Sequence, residues 1–372
     1  MPNLPRNNKQ SGQANLSVIL IFLIRLSTRW EKTMPIEITD HCFKNARHTT
    51  FYLAAGPEDG PKVFFLHGWP ELSLSWRHQL SALANLGFRT IAPDMRGYGQ
   101  SSIYKEHSAY TLREVVSDMR ELHSSISSEP VVWVGHDWGS PVVWSIARHH
   151  PQLVAGLVSL CVPMGLEEGL SLDLIDRSVY PKKQFPVGQW DYMLFYMENF
   201  RLATEQMESS PGRFLKMMFR KGDPSSKGTR SLTASTRANG GWFIDGGFPD
   251  FPLDEDILSS EEFLVYEESL KRNGFFGPNS WYMNHDLNRE FAREMDYGSS
   301  LDVPVLFIHA EYDLVCETVD SELATPMREK CKNLTEEVLH AGHWIAQEKG
   351  AEVSAAIVKW LAVKTDYWPV PK

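Results

Sequence analysis

One short segment presents a single carboxylate at a position typical of a nucleophile. An apolar run over 131–134 leads into Gly-His-Asp-Trp-Gly at 135–139, and a helical pattern follows. Glycines on both sides of a strand-to-helix turn allow a tight bend, which presents the central side chain at the carboxyl edge of a sheet. Asp137 holds that central place, although an aspartate here could also serve only as a helix N-cap.

The residue type at the centre of this turn narrows the chemistry. A serine in this place serves acyl transfer, whereas a carboxylate attacks saturated carbon and forms an ester. The N-terminus of the following helix would favour the ionised form of Asp137. We therefore predict displacement at a carbon–oxygen or carbon–halogen bond.

Two further groups follow later strands in the order that such a site requires. Asp313 comes first along the chain and His343 second. An imidazole oriented by a buried acid can deprotonate water. We predict that His343, held by Asp313, activates water to hydrolyse an ester on Asp137. Glu311 and His340 are the nearest alternatives, and we rank both lower.

A His-Gly-Trp-Pro motif at 67–70 follows another predicted strand and could aim a backbone N–H at the reacting centre. Together with the N–H of Trp138, the N–H of Trp69 would form the oxyanion hole for the tetrahedral intermediate. Pro70 could hold this loop through a cis bond. His67 and His136 are more simply explained as polar anchors for their loops.

Alternating strands and helices must position these groups. Residues 48–53 and 63–66, joined by a turn at Asp59-Gly60, predict an antiparallel hairpin. The pattern then becomes one of repeated strand–helix units, which indicates a mostly parallel, buried sheet. The predicted elements are helices over 76–86, 112–126, 141–150 and 353–363 and strands over 90–92, 131–134, 154–160, 303–308 and 336–339. The alternation stops between about 163 and 299, so this stretch is predicted to be an insertion.

These motifs together resemble the epoxide hydrolases of the α/β-hydrolase superfamily over roughly residues 35–366. The resemblance lies in the segments 67–70, 94–101, 135–139 and 342–344. It implies an α/β-hydrolase fold with a mostly parallel eight-stranded sheet, formed by residues 35–162 and 300–372, and an inserted helical cap over 163–299. It also implies hydrolysis of epoxides to vicinal diols through an alkyl-enzyme ester, with no metal or organic cofactor.

The same resemblance implies two cap tyrosines that bind and protonate the epoxide oxygen. The segments 190–196 and 274–282 place Tyr192 first and Tyr282 second. A neutral phenol can polarise the leaving oxygen while Asp137 stays ionised nearby. The residues alone do not choose between Tyr192 and Tyr196, which lie one helical turn apart, and such an aromatic stripe could equally be core.

Other functions remain alternatives at this stage. Haloalkane dehalogenases also use an aspartate followed by a tryptophan, and they are the main alternative. Fluoroacetate dehalogenases carry an arginine after the nucleophile, where this chain has Trp138. A receptor-like hydrolase fold is a third alternative, since fold does not determine function. The complete set of Asp137, Asp313 and His343 favours an enzyme.

Composition excludes several classes of protein. The 372 residues are 42% hydrophobic and carry a net charge of -10 without a basic cluster, so nucleic acid is not an expected partner. The resemblance to epoxide hydrolases implies a small apolar epoxide as the partner, and we expect a monomer or homodimer to bind it. Four widely spaced cysteines predict neither a zinc site nor a disulfide framework and favour a reducing compartment.

The N-terminal extension, residues 1–34, is predicted to be disordered or a weak anchor. Its apolar run from Leu16 to Ile24 is too short to span a bilayer, so we expect no stable membrane insertion and a cytoplasmic location. The alternative is that this run acts as a weak signal or anchor. The related mammalian two-domain enzymes carry a phosphatase domain ahead of the hydrolase. An extension of 34 residues cannot supply that domain, so the resemblance does not imply phosphatase activity.

Overall fold

A central eight-stranded sheet organises the protein, whose computed structural model describes residues 36–242, 247–295 and 300–369. The strands are β1 (Thr39–Lys44), β2 (Thr49–Ala55), β3 (Lys62–Leu66), β4 (Arg89–Pro93), β5 (Val131–His136), β6 (Val154–Leu160), β7 (Leu301–Ala310) and β8 (Cys331–Leu339). Their order across the sheet is β1-β2-β4-β3-β5-β6-β7-β8. The fold class predicted from the sequence is confirmed.

Strand direction divides the sheet into two parts. β1 pairs antiparallel with β2, and β2 pairs antiparallel with β4. All pairs from β4 to β8 are parallel. The parallel part brings the carboxyl ends of β3, β5, β7 and β8 to one edge, where loops from several strands can meet.

The predicted hairpin between 48–53 and 63–66 is wrong, because β4 lies between β2 and β3. β3 is buried over 63–66, and it obtains parallel neighbours on both sides, β4 and β5. An apolar strand of this kind belongs in the interior of a sheet rather than beside a half-exposed edge. The true hairpin joins β1 to β2 through a turn in which Asn45 N–H donates to the His48 carbonyl oxygen.

Helices cover the sheet and fill the connection between β6 and β7. They are α1 (Arg77–Ala84), α2 (Leu112–Ile126), α3 (Gly139–His149), α4 (Asp191–Ser209), α5 (Pro211–Met218), α6 (Ser260–Asn273), α7 (Phe276–Ser280), α8 (His285–Arg293), α9 (Thr325–Lys330), α10 (Ile345–Glu348) and α11 (Gly350–Lys364). Local signals explain where some of them begin: Thr111 accepts from Glu114 N–H ahead of α2, and Ser259 with Glu262 forms a capping box ahead of α6.

The connection between β6 and β7 carries helices α4 to α8, and its described part contains no strand. Two side chains fasten it to the loops of the sheet. Trp69 Nε1–H donates to Asn279 Oδ1 over 3.0 Å, and Trp281 Nε1–H donates to the Arg96 carbonyl oxygen over 3.1 Å. The division into a core and a cap over 163–299 stays a prediction.

The N-terminal extension, including the run from Leu16 to Ile24, lies outside the described residues. Within the part of the chain that is described, no helix combines the length and apolar composition needed to cross a bilayer.

Candidate active site

The turn between β5 and α3 has the geometry of a nucleophile elbow. Asp137 adopts a positive φ of 48°, which is strained for a residue other than glycine. Neither Gly135 nor Gly139 has a positive φ. A Cβ on Gly135 would run into the backbone of Gly139, and a Cβ on Gly139 would overlap the Leu66 carbonyl oxygen. The glycines therefore provide space, and Asp137 takes the strained conformation.

The two oxygens of the Asp137 carboxylate have different neighbours. Oδ1 accepts a 2.7 Å hydrogen bond from the Trp69 N–H. Oδ2 lies 3.4 Å from Nε2 of His343. A Cβ on Gly68 would overlap the carboxylate, so this loop can approach Asp137 only with glycine at that position. The carboxylate is thus held between a backbone donor and an imidazole.

His343 is oriented by Asp313, as the sequence predicts from their order. Nδ1 of His343 lies 2.7 Å from Oδ2 of Asp313. The other oxygen of Asp313 accepts from the backbone N–H groups of Val315 and Cys316 at 2.9 and 3.0 Å. Because the Asp313 carboxylate binds Nδ1 of His343, the other ring nitrogen, Nε2, faces Asp137.

The charges of the two carboxylates control the protonation of His343. Burial alone would lower its pKa, but Asp313 and Asp137 raise the pKa of His343 well above the ordinary value. Burial opposes ionisation of Asp313 as well, and the neighbouring His343 more than offsets this, so the pKa of Asp313 is lowered. The free site therefore favours an imidazolium between two carboxylates.

The two lower-ranked alternatives, Glu311 and His340, contact each other. The His340 side chain is 77% exposed, and Glu311 also pairs with Lys227 at 2.8 Å. This arrangement is a surface ion-pair group rather than a base beside Asp137.

Three buried tyrosines lie close to the elbow. The Tyr282 ring is 5.6 Å from Tyr192, 4.8 Å from Tyr196 and 5.2 Å from Trp138 between centroids. Burial first, and then the charge of Asp137, raises the pKa of Tyr192 well above the ordinary value. Burial, Tyr192 and Asp137 do the same for the pKa of Tyr282. Both phenols therefore stay neutral and can donate.

The lining of the pocket beside Asp137 distinguishes Tyr192 from Tyr196. Tyr192 lines it together with Asp137 and Trp138, and Tyr196 does not. Burial raises the pKa of Tyr196 well above its ordinary value, and the neighbouring Trp242 indole opposes this rise. The pocket lining is Asp137, Trp138, Pro141, Val162, Leu166, Gly169, Leu170, Trp190, Tyr192, Met193, His285 and Cys316.

His67 and His136, which we interpret from the sequence as polar anchors, both hold loops of the site in place. The Trp69–Pro70 peptide is cis. Met95 N–H donates to Nε2 of His67 over 2.9 Å, so Nδ1 carries the proton and donates to the Gly68 carbonyl oxygen at 2.8 Å. Nε2 of His136 donates to the His343 carbonyl oxygen at 2.7 Å, which ties the elbow to the loop of the base.

Glu71 completes this framework and was not predicted. Its buried carboxylate lies 2.8 Å from Nδ1 of His136 and accepts 3.0 Å hydrogen bonds from Gly68 N–H and the Gln347 amide. Burial alone would raise the pKa of Glu71, but His136, with smaller effects of His67 and the Gly68 N–H, lowers it to about 2. The only signal in the sequence is its place directly after His-Gly-Trp-Pro, and that spacing by itself indicates no role.

One group of possible metal ligands occurs among the described residues, formed by His136, Cys161 and His343. Both ring nitrogens of His136 already make hydrogen bonds, and Nδ1 of His343 is bound to Asp313. Burial, more than the nearby charges, raises the pKa of the Cys161 thiol well above its ordinary value. The group therefore offers few free ligand atoms, because metal binding requires a thiolate and unprotonated nitrogens.

The sequence and the structure are both similar to those of known proteins. Residues 61–205 match the family model described as alpha/beta hydrolase fold. The chain is 34% identical to Epoxide hydrolase A of Mycobacterium tuberculosis (strain ATCC 25618 / H37Rv) over 82% of this chain and 92% of that protein. It is 32% identical to Bifunctional epoxide hydrolase 2 of Sus scrofa over 81% of this chain, which spans only 51% of that relative. The crystal structure of Epoxide Hydrolase A from Mycobacterium thermoresistibile superposes with a TM-score of 0.70 at 30% identity, covering 88% of this chain and 99% of the other.

Proposed function

Because the chain belongs to the epoxide hydrolases of the α/β-hydrolase fold, we propose that it opens its substrate through a covalent ester on Asp137. The observation that carries this proposal is the position of His343, with Nε2 at 3.4 Å from the Asp137 carboxylate and Nδ1 at 2.7 Å from Asp313. A base placed against the nucleophile itself is what hydrolysis of an ester on that nucleophile requires.

In the first step, a carboxylate oxygen of Asp137 attacks one epoxide carbon in line with the bond to the ring oxygen. A carbon–oxygen bond to Asp137 forms, the ring bond breaks, and the ring oxygen takes a proton from a tyrosine. Tyr192 and Tyr282 fit this role, because both are neutral donors close to the elbow and Tyr192 shares a pocket with Asp137. Both belong to the segment 163–299, which we propose acts as the cap.

In the second step, His343 removes a proton from water, and the hydroxide adds to the Asp137 ester carbonyl. The N–H groups of Trp69 and Trp138 are proposed to hold the resulting oxyanion. The acyl carbon–oxygen bond of the ester then breaks, the departing alkoxide takes the proton from the His343 imidazolium, and the vicinal diol leaves with an oxygen that came from the carboxylate. The new carboxylic acid of Asp137 loses its proton, which restores the tyrosine that protonated the ring oxygen. Support for Trp69 is direct, since its N–H already binds Oδ1 of Asp137 at 2.7 Å.

Formation of the ester also changes the base. Part of the rise in the pKa of His343 comes from the negative charge of Asp137. That charge disappears when Asp137 becomes an ester, so the imidazolium gives up its proton more readily. His343 is thus protonated while it pairs with the free nucleophile and becomes a neutral base when water must be activated.

Trapping the intermediate tests this mechanism. The variant His343→Ala should accumulate protein that is heavier by one substrate mass, because the first step survives and the second lacks its base. A matched variant, His340→Ala, removes the exposed histidine from the same loop and should turn over without an adduct. Unmodified His343→Ala after proven substrate binding would contradict the ester. Halide release from haloalkanes at rates that exceed diol formation would contradict the choice of substrate class.

A further inference from the structure

Two residues that line the pocket beside Asp137 each carry a buried polar atom without a hydrogen-bond partner among the described residues. They are Nε2 of His285 and Nε1 of Trp190. Both side chains line the pocket, and they are 8% and 1% exposed. Buried polar groups in proteins are nearly always paired, and an unpaired one costs free energy. Each atom therefore gains from a ligand that brings a matching polar group.

The rest of the pocket wall explains why these two atoms matter for selectivity. Apart from Asp137 and Tyr192, which serve the reaction, and the weakly polar thiol of Cys316, the wall offers mainly hydrocarbon and ring surface. Its apolar members are Pro141, Val162, Leu166, Leu170 and Met193. A substrate arm in this pocket thus meets an apolar surface with two polar points.

His285 stands at the first residue of α8, with its ring centroid 6.4 Å from the Trp138 ring. Burial, with a smaller effect of Arg289, lowers the pKa of His285 to about 4, although Asp286 opposes this change. The imidazole is therefore neutral near pH 7 and has one nitrogen that donates and one that accepts. A neutral ring binds an alcohol well and gives no ion pair with a carboxylate.

We propose that His285 and Trp190 select epoxides that carry a second, uncharged oxygen, above all a hydroxyl, on the arm that enters this pocket. This inference rests on the proposed function and differs from the apolar substrate expected from the sequence. The indole N–H of Trp190 can only donate, so its ligand must accept. A hydroxyl accepts and donates, and so it pairs with His285 in either tautomer. A carboxylate is disfavoured because it would share the pocket with the charge of Asp137.

A matched set of substrates and variants tests the proposal. The substrates are terminal alkane epoxides and the corresponding epoxides with a hydroxyl at the other end of the same carbon chain, over several chain lengths. The variants are His285→Gln, which keeps hydrogen-bonding atoms at a similar reach, and His285→Met, whose side chain has nearly the shape of glutamine but lacks the amide that forms hydrogen bonds. Thermal unfolding of each variant checks the fold, and kcat/KM for diol formation is measured for each pair.

Wild-type enzyme should prefer the hydroxylated epoxide at one or two chain lengths. His285→Met should reduce that preference about tenfold, the value of one hydrogen bond, and His285→Gln should keep most of it. Equal preferences in wild type and His285→Met at every chain length would overturn this inference while leaving the proposed function intact. The absence of diol from all substrates with wild-type enzyme would instead overturn the proposed function, and this inference with it.

Discussion

The backbone N–H of Trp69 donates a 2.7 Å hydrogen bond to Oδ1 of Asp137, while the other carboxylate oxygen lies 3.4 Å from His343. In the proposed mechanism, Asp137 is thus oriented before substrate arrives, and the Trp69 N–H is in place for the oxyanion that forms later. Such preorganised donors contribute strongly to catalysis because they need no rearrangement during the reaction.

Gly68→Ala should reduce kcat/KM about a hundredfold, because the added methyl group would overlap the Asp137 carboxylate and displace it. Steady-state kinetics with a terminal epoxide measures the loss. Gly228→Ala is a control for a methyl group that meets no neighbour: nothing lies within 4 Å of a Cβ there, but the positive φ of 74° strains alanine, so this variant should lose stability while its activity stays near that of wild type. Full activity of Gly68→Ala would show that the close approach of this loop is not needed.

Asp137→Asn should lower the pKa of His343 relative to the wild-type enzyme. Asp137 is one of the two carboxylates that raise this pKa, and the amide carries no charge. Titration of the His343 ring by NMR spectroscopy measures the change, with His340 as an internal reference on the same loop. If the His343 pKa is the same in both proteins, the proposed release of its proton on ester formation is incorrect.

Tyr192→Phe should lower kcat/KM about a hundredfold, through loss of a proton donor. Tyr196→Phe should leave the rate nearly unchanged, because Tyr196 does not line the pocket that holds Asp137. Kinetics and thermal unfolding of the two variants decide between these tyrosines. A larger rate loss in Tyr196→Phe would reverse the assignment.

Glu71→Gln should make stability less sensitive to acid. The folded protein holds the pKa of Glu71 at about 2, below the ordinary value of 4.5, so its ionised form stabilises the fold above about pH 4.5. That contribution, about 3 kcal/mol, is lost as the pH falls toward 2.

Unfolding free energies of wild type and Glu71→Gln should therefore differ most near neutral pH and converge as the solution is acidified. Glu205→Gln changes an exposed glutamate and should leave the curve unchanged. A gap between wild type and Glu71→Gln that stays constant from neutral to acidic pH would contradict a buried, ionised Glu71.

Local patterns predicted much of this protein because the elbow, the late acid and the histidine each follow a strand of a parallel sheet. The helix over 112–126 and the strand over 154–160 were predicted at their observed bounds. Strand pairing was harder to predict than the strands themselves. In the sheet β4 lies between β2 and β3, and no local signal in the sequence indicates this position. A turn at Asp59-Gly60 is compatible with a hairpin, but it does not require one.

The parts of the site that the sequence did not predict depend on burial. Glu71 acquires its place through His136 and Gln347, which are distant in sequence. The distinction between Tyr192 and Tyr196 depends on which side chain reaches the pocket, and both lie on one helix. His285 is notable only because its Nε2 is enclosed without a partner, which no pattern of residue types reveals.

A single turnover in water labelled with heavy oxygen tests the covalent ester most directly. With enzyme in excess over epoxide, the first diol should carry an unlabelled new oxygen that came from Asp137, and the label should appear in the Asp137 carboxylate. Peptide mass analysis locates the labelled residue. Heavy oxygen in the first diol, with Asp137 unlabelled, would mean that water attacks the epoxide directly.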